Sequence, residues 1–131
     1  MSNLIHLEYE IYKNKFYLDE CIIGKIYFIE VNMRARAVEV HLIRKESIGT
    51  GINALTDSTL ITKFEVVDGN PAKDEMVPIR MFINSYELSP TYKDINNIVS
   101  VRYYLKFVVI DEEDKSFFKQ QEILLWRKYI N

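Results

Sequence analysis

The sequence predicts an all-β fold, an antiparallel β-sandwich of the immunoglobulin or fibronectin type. Apolar and polar residues alternate strictly from Val99 to Phe107, and Val109 continues the apolar face, which is typical of a strand with one face in a core. Several further strand-like segments follow one another at short intervals, with Gly, Asn, Asp and Pro between them. No window shows a convincing helical stripe of apolar residues. Together these observations favour two packed sheets.

Each predicted strand depends on a period of two. In the first strand Ile5, Leu7, Tyr9 and Ile11 point one way, and in the third Val38, Val40 and Leu42 point inward. Gly24 interrupts the second strand. The predicted strands are 4–12, 20–31, 37–44, 60–67, 76–83, and two C-terminal strands that begin at Val99 and Phe117.

Polar segments between these strands predict the loops. Asp111 to Asp114 suits a tight turn, because its side chains are short and acidic. Two longer loops are expected at 47–58 and 67–75, the second opening with the strong turn pair Asp68-Gly69. A single short helical turn is the prediction for 92–97, and Trp126 is predicted to pack in the core.

Length and composition place the chain in one domain, 1–131. At 131 residues with a formal net charge of −2, it has a substantial core and no general phosphate-binding surface, so nucleic acid is not expected as a partner. The single cysteine, Cys21, permits no intrachain disulfide. No secretory signal or membrane-spanning run is visible. The expectation is a cytoplasmic protein that reaches membranes only through partners.

The residues that could carry chemistry are few. His6 and His41 are predicted on outward strand faces, and Cys21 is interpreted as a buried structural thiol. Gly49-Thr50-Gly51 lacks the lysine of a phosphate-binding loop. The acidic turn lacks calcium-ligand spacing. The sequence therefore predicts no enzyme activity, no metal and no cofactor.

Two adjacent apolar pairs stand out. Val66-Val67 ends a strand, and alternation predicts that one of the two points away from the core beside the Asp68-Gly69 turn. This side chain would either pack at the sheet edge under the loop or be an apolar anchor for a partner. In the second interpretation, polar residues at 66 and 67 would abolish partner binding without loss of the fold. Phe117-Phe118 repeats the pattern, with one aromatic ring expected inward and the other outward.

Many short segments also resemble a known family. They include Ser-Val-Arg-Tyr-Tyr-Leu at 100–105, Phe-Lys-Gln-Gln-Glu at 118–122 and Leu-Trp-Arg-Lys at 125–128. Others in register are 23–28, 42–46, 49–51, 68–71, 78–80, 86–91, 94–96 and 110–113. Nearly the whole chain resembles the C-terminal half of the vacuolar protein sorting-associated protein 26 family, the arrestin-like subunits of retromer.

This resemblance implies a C-terminal arrestin-type domain whose parent carries a first sandwich that is absent from this sequence. It also implies a non-enzymatic scaffold that is peripheral on endosome membranes and takes part in cargo recycling. Its partners would be the α-solenoid subunit, vacuolar protein sorting-associated protein 35, together with sorting nexins and cargo tails. The solenoid would contact Val66, Val67, Asp68, Gly69, Asn70 and Pro71.

For cargo and a sorting nexin, the resemblance implies a pocket that uses Phe118. Two alternatives stay open at this point. One is an arrestin-domain adaptor of a different endosomal assembly, which should lack the motifs at 118–122 and 126–128. The other is a ligand-binding β-sandwich module, which would need an exposed platform of aromatic side chains.

Overall fold

The computed structural model describes residues 5–32, 34–49, 55–83, 90–93 and 99–126. Within these ranges the chain forms nine β-strands and no helix. The strands are β1 Ile5–Ile11, β2 Lys15–Tyr17, β3 Cys21–Val31, β4 Ala35–Ile48, β5 Leu55–Asp68, β6 Met76–Phe82, β7 Tyr92–Lys93, β8 Val99–Asp111 and β9 Ser116–Trp126.

The strands form two sheets. The small sheet has the order β1-β3-β6, and the large sheet has the order β2-β9-β8-β4-β5, with β7 paired to β8. Every pair is antiparallel except β2 with β9, which is parallel. The predicted antiparallel sandwich is therefore confirmed, with one short parallel strand added at an edge of the large sheet.

The core lies between the two sheets. Tyr9 of the small sheet stacks on Phe107 of the large sheet, with ring centroids 4.2 Å apart. The predicted inward residues 38, 40 and 42 of β4 and 103, 105, 107 and 109 of β8 are buried, whereas Val101 is half-buried. Each fully buried side chain of this size contributes about 1.5–3 kcal/mol. The largest buried side chains are Tyr103, Phe16, Phe28, Phe107, Ile22, Ile26, Leu42, Met81, Ile83, Leu105, Ile123 and Leu125.

Gly24 does not interrupt its strand, because β3 runs through it from Cys21 to Val31. A Cβ at this position would lie 2.5 Å from the carbonyl oxygen of Glu10 on β1. The glycine is thus required by the close approach of two paired backbones rather than by a turn.

The hairpin of β4 and β5 is longer than predicted. Strand pairing continues to Ile48 opposite Leu55, and the hydroxyls of Ser47 and Thr56 lie within hydrogen-bond distance at 3.1 Å. The loop predicted for 47–58 is therefore wrong at both ends, and residues 50–54 lie outside the described ranges. Polar residues on both faces concealed these strand ends, because the alternating pattern needs one buried face.

Three smaller predictions are corrected. Strand β2, Lys15–Tyr17, was not predicted at all. Tyr92–Lys93 pairs with β8 rather than starting a helical turn, and residues 94–97 lie outside the described ranges. Trp126 is 45% exposed rather than buried, because it ends β9 on the outer face, where its ring neighbour is Lys15.

Candidate functional site

The first candidate site is the β5–β6 loop, defined here as Val66 to Glu75. In the pairing of β5 with β4, Val67 lies opposite Val38, and Glu65 lies opposite the next residue, Glu39. Val66 has no partner of its own, so β5 contains a β-bulge. Both valines are half-buried and pack against the core. The prediction that alternation turns one of them away from the core is wrong, because the bulge interrupts the alternation.

Past the valines, the loop is tied to the start of β4. Gly69, at φ 100°, donates its N–H to the carbonyl of Arg36 at 3.0 Å. The backbone N–H of Ala35 donates to Oδ1 of Asn70 at 2.9 Å, and Pro71 is buried. Asp68, Gly69, Asn70 and Pro71 thus form a fixed corner, and glycine is needed at its positive φ.

The second part of the loop is tied to the small sheet. Asp74 donates its N–H to the carbonyl of Phe28 at 2.8 Å, and the N–H of Phe28 donates to the carbonyl of Glu75 at 3.0 Å. A further bond, from Glu75 N–H to the Ala72 carbonyl at 3.1 Å, closes a turn. The loop therefore spans both sheets and needs little ordering before it can bind a partner.

The two arginines beside this corner, Arg34 and Arg36, are paired with the acidic turn between β8 and β9. Arg36 lies 2.8 Å from Asp114, and Arg34 lies 4.0 Å from Glu112 of the acidic turn. In that turn Oδ1 of Asp111 accepts two backbone N–H groups, from Glu113 and Lys115, at 2.9 and 2.8 Å. The two arginines therefore link the start of β4 to this turn through ion pairs between exposed side chains.

The second candidate site is the rim around Phe117 and Phe118. Phe117 pairs with Val109 and Phe118 with Val108, so the two rings point to opposite faces of the large sheet as predicted. Their burial differs from the prediction, because the exposed fractions are 42% and 55%. Phe117 points to the core side of the large sheet. It lies beside β1, the edge strand of the small sheet, so the small sheet covers its ring only in part.

An apolar groove of about 240 Å³ opens at this rim. Its walls come from β1 and from β8 and β9 of the large sheet. The lining residues are Ile5, His6, Leu7, Phe107, Val109, Phe117, Phe118 and Lys119.

A charged clamp closes one side of the groove. Nζ of Lys119 donates to Oε1 of Glu8 at 3.0 Å, which joins β9 of the large sheet to β1 of the small sheet. Nε2 of His6 lies 2.8 Å from the same carboxylate oxygen. The hydrogen bond with His6, followed by that with Lys119 and its charge, holds the pKa of Glu8 below its ordinary value of 4.5.

Much of β9 also offers a free backbone edge. β2 pairs only with Leu124, Leu125 and Trp126, so within the described ranges no strand covers the other side of Ser116 to Glu122. An extended peptide could add there as a further strand, directly beside the Phe118 ring.

The other residues that the sequence singles out for chemistry are His6, His41 and Cys21. His6 and His41 face outward and Cys21 is half-buried. Across the described residues no three His, Cys, Asp or Glu side chains are grouped so that they could hold a metal ion. Among the same residues, no helix has the length and apolar character needed to cross a membrane.

Comparison with known proteins decides the family. A family model described as vacuolar protein sorting-associated protein 26 matches residues 1–114. The chain belongs to this family. Relatives with that name include the protein from Schizosaccharomyces pombe, 49% identical, and the one from Dictyostelium discoideum, 44% identical, each over 128 residues. The human relative, vacuolar protein sorting-associated protein 26B, is 46% identical over the same length.

These matches cover 98% of the chain but only 43%, 37% and 38% of the respective relatives. The chain thus spans about two fifths of the length of the family members it matches. Among solved structures, Spo0M, the sporulation control protein from Bacillus subtilis, matches with a TM-score of 0.72 over 95% of this chain and 50% of its own. At 11% identity this likeness concerns the fold alone.

Sequence reasoning missed parts of both sites. The hydrogen bonds that fix the β5–β6 loop come from Arg36, Ala35 and Phe28, whose backbone groups leave no sequence signal. The wall residues Ile5 and Leu7 of the rim groove read as ordinary core positions. The adjacent valines and the adjacent phenylalanines were the available signals, and they indicated the candidate sites without revealing their geometry.

Proposed function

We propose that this chain is a non-enzymatic scaffold domain of retromer that binds the α-solenoid subunit, vacuolar protein sorting-associated protein 35, through the β5–β6 loop. Membership of the family supports the assignment to protein sorting. In this role the chain is peripheral on endosome membranes, held there by its partners, and helps to present cargo for recycling.

The observation that carries the proposal is the preorganised β5–β6 loop. Its backbone is bonded to both sheets, while Asp68, Asn70, Ala72, Lys73 and Asp74 keep exposed side chains. A rigid loop loses little conformational entropy on docking, so polar and small apolar contacts suffice for a stable complex. Val66 and Val67 contribute their accessible edges and fix the exit of the loop.

The rim around Phe118 is proposed as the half of a cargo and sorting-nexin pocket that this chain supplies. An exposed ring, an adjoining apolar groove and an unpaired strand edge are the features that an extended peptide tail uses. Backbone hydrogen bonds to β9 would give affinity, and the groove beside Phe118 would select the side chain.

The test exchanges two charges on the loop without changing the net charge. Asp68→Lys combined with Lys73→Glu alters two exposed residues and leaves the backbone bonds intact. We expect the affinity for the purified solenoid subunit, measured by isothermal titration calorimetry, to fall about tenfold or more, because charge complementarity across the interface is reversed.

The matched control is Glu113→Lys combined with Lys115→Glu, which exchanges an ion pair in the turn between β8 and β9. The control should bind like the unaltered chain. Equal affinity of the loop variant and the control would contradict the proposed interface, and so would no binding by the unaltered chain. Circular dichroism of all three proteins checks that the fold is retained.

A further inference from the structure

The outer face of the small sheet, which points away from the core, carries apolar side chains that the proposed function does not use. Residues of β3 and β6 that share this face lie in directly opposed pairs, which are Tyr27 with Met76, Lys25 with Pro78, Ile23 with Arg80 and Cys21 with Phe82. A sheet face in contact with water normally carries polar residues. Exposed apolar side chains gathered on such a face therefore indicate a surface that a partner covers.

Charged residues divide this outer face into two apolar ends. Lys25 and Arg80 lie between them. One end, defined as the near end, consists of Tyr27, Ile29 and Met76. Ile29 has no partner of its own on β1, so β3 contains a β-bulge there, and its side chain is exposed. Met76 is exposed as well, and Tyr27 is half-buried beside it.

The near end adjoins the β5–β6 loop. The loop leads directly into Met76, the first residue of β6. Two backbone hydrogen bonds join the second part of the loop to Phe28, which stands between Tyr27 and Ile29 in β3. A partner that covers this part of the loop therefore reaches the near end next.

The loop by itself is too small for a stable interface. It contains ten residues, whereas a stable interface uses about 20–30 residues on each side. The flank of the loop toward β4 carries Arg36 and Asp114 as an exposed ion pair, and covering such a pair costs desolvation. The other flank is the near end, where covering apolar side chains is favourable. The additional contact surface is therefore expected on the near end.

We propose that the near end belongs to the interface with the solenoid subunit, where one α-helix of that subunit lays an apolar ridge across Tyr27 and Met76. Since this contact extends the interface assigned to the β5–β6 loop, it rests on the proposed function. Side chains three or four residues apart on a helix are separated by about 5–6 Å, close to the ~4.8 Å between neighbouring strands. The hydroxyl of Tyr27 donates to Oε2 of Glu10 at 3.1 Å, so this donor stays paired when the ring is covered.

A second copy of this chain fits the outer face less well. The face is three strands wide and, along β6, seven residues long, which corresponds to about 330 Å² in plan. A stable dimer buries about 800 Å² on each partner. A larger partner that covers the loop and the near end together meets this requirement.

The test removes the apolar side chains of the near end and compares them with a matched pair at the other end of the small sheet. Ile29→Ser with Met76→Ser changes residues that are 42% and 46% exposed. The control, Tyr12→Ser with Phe82→Ser, changes residues that are 63% and 58% exposed, and Phe82 lies about 20 Å from Met76 along β6. In isothermal titration calorimetry with the purified solenoid subunit, the near-end variant should bind about tenfold more weakly, and the control should bind like the unaltered chain.

The loop variant Asp68→Lys, Lys73→Glu distinguishes the near end from the loop. Weaker binding by the loop variant with unchanged binding by the near-end variant overturns the contact at the near end and leaves the loop interface in place. Unchanged binding by both variants overturns both. Dimers of the unaltered chain that the near-end variant does not form, measured by sedimentation equilibrium, also overturn the solenoid contact at the near end. If circular dichroism shows that the near-end variant fails to fold, Met76→Gln replaces it, is judged in the same way and should bind about threefold more weakly.

Discussion

Two adjacent apolar pairs, Val66-Val67 and Phe117-Phe118, look equivalent in the sequence and behave differently in the fold. Both valines pack against the core and are half-buried. Both phenylalanines are exposed, one on each face of the large sheet. The difference arises because a β-bulge leaves Val66 without a partner on β4 and so interrupts the alternation at the valines. The phenylalanines instead follow regular pairing, at a rim that the small sheet does not cover.

The environment of each side chain depends on two properties, which the alternating pattern alone does not distinguish. Strand register decides the face of the sheet to which a side chain points. The extent of the opposing sheet decides whether a side chain on that face is shielded from water. In the proposed function, the valine pair belongs to the β5–β6 loop that would contact the solenoid subunit. The phenylalanine pair offers free apolar surface beside a free edge, which suits an extended ligand.

The largest expected effect comes from making both pairs polar. Val66→Asp with Val67→Asn places a charge and an amide against the core and should lower the free energy of unfolding by about 3 kcal/mol. Phe117→Asp with Phe118→Asn, its matched counterpart, should cost less than about 1 kcal/mol because both rings are already exposed. Urea unfolding followed by circular dichroism measures both values.

This expectation replaces the one drawn from alternation, in which polar residues at the valine pair would leave the fold unaffected. Equal losses of stability in the two double variants would mean that the bulge does not turn both valines toward the core. The two pairs would then be equivalent after all.

A smaller effect is expected from the side-chain hydrogen bond that holds the β5–β6 loop against the start of β4. Asn70→Ala removes the acceptor of the Ala35 N–H, a donor on a buried residue, and should cost about 1–2 kcal/mol. Asn70→Asp keeps an acceptor oxygen at the same place and should recover most of this loss. Unfolding measurements that find both variants as stable as the unaltered chain would show that the loop does not depend on this bond.

The sequence predicted the sheets better than it predicted the sites, for a physical reason. Alternation in 99–109 and 37–44 reports a one-sided core, so the strands and the inward residues Val38, Val40 and Leu42 were correctly predicted. The bulge at Val66, the close approach at Gly24 and the exposed end of β9 at Trp126 depend on neighbouring strands far away in the sequence. No local pattern encodes them.

The same limit applies to the outer face of the large sheet. Lys63, His41 and Lys106 are separated by 22 and 43 residues in the sequence, and only the registers of β4 with β5 and β8 bring them side by side. Each lysine by itself reads as an ordinary solvated side chain. The arrangement of these side chains is thus set by strand register and cannot be read from the composition.

The smallest expected effect concerns the ion pair of Glu8 with Lys119, beside the phenylalanine pair. Its dependence on pH distinguishes this region from the β5–β6 loop. The pKa of Glu8 is lowered in the folded chain by His6 and Lys119, so its contribution is complete above the ordinary value of 4.5 and is lost as the pH falls through the folded pKa. Glu8→Gln should therefore lower the melting temperature slightly at pH 7, and the difference from the unaltered chain should shrink as the pH falls below 4.5. Asp74→Asn is the control. Asp74 is an exposed residue of the β5–β6 loop and has no ion-pair partner within the described ranges. Asn tolerates the φ of 65° at this position. The valine loop is fixed by backbone hydrogen bonds that do not titrate, so the control should show no such dependence. A Glu8→Gln difference that persists unchanged at pH 3 would mean that the clamp is not ionic, and the rim would then be held by packing alone.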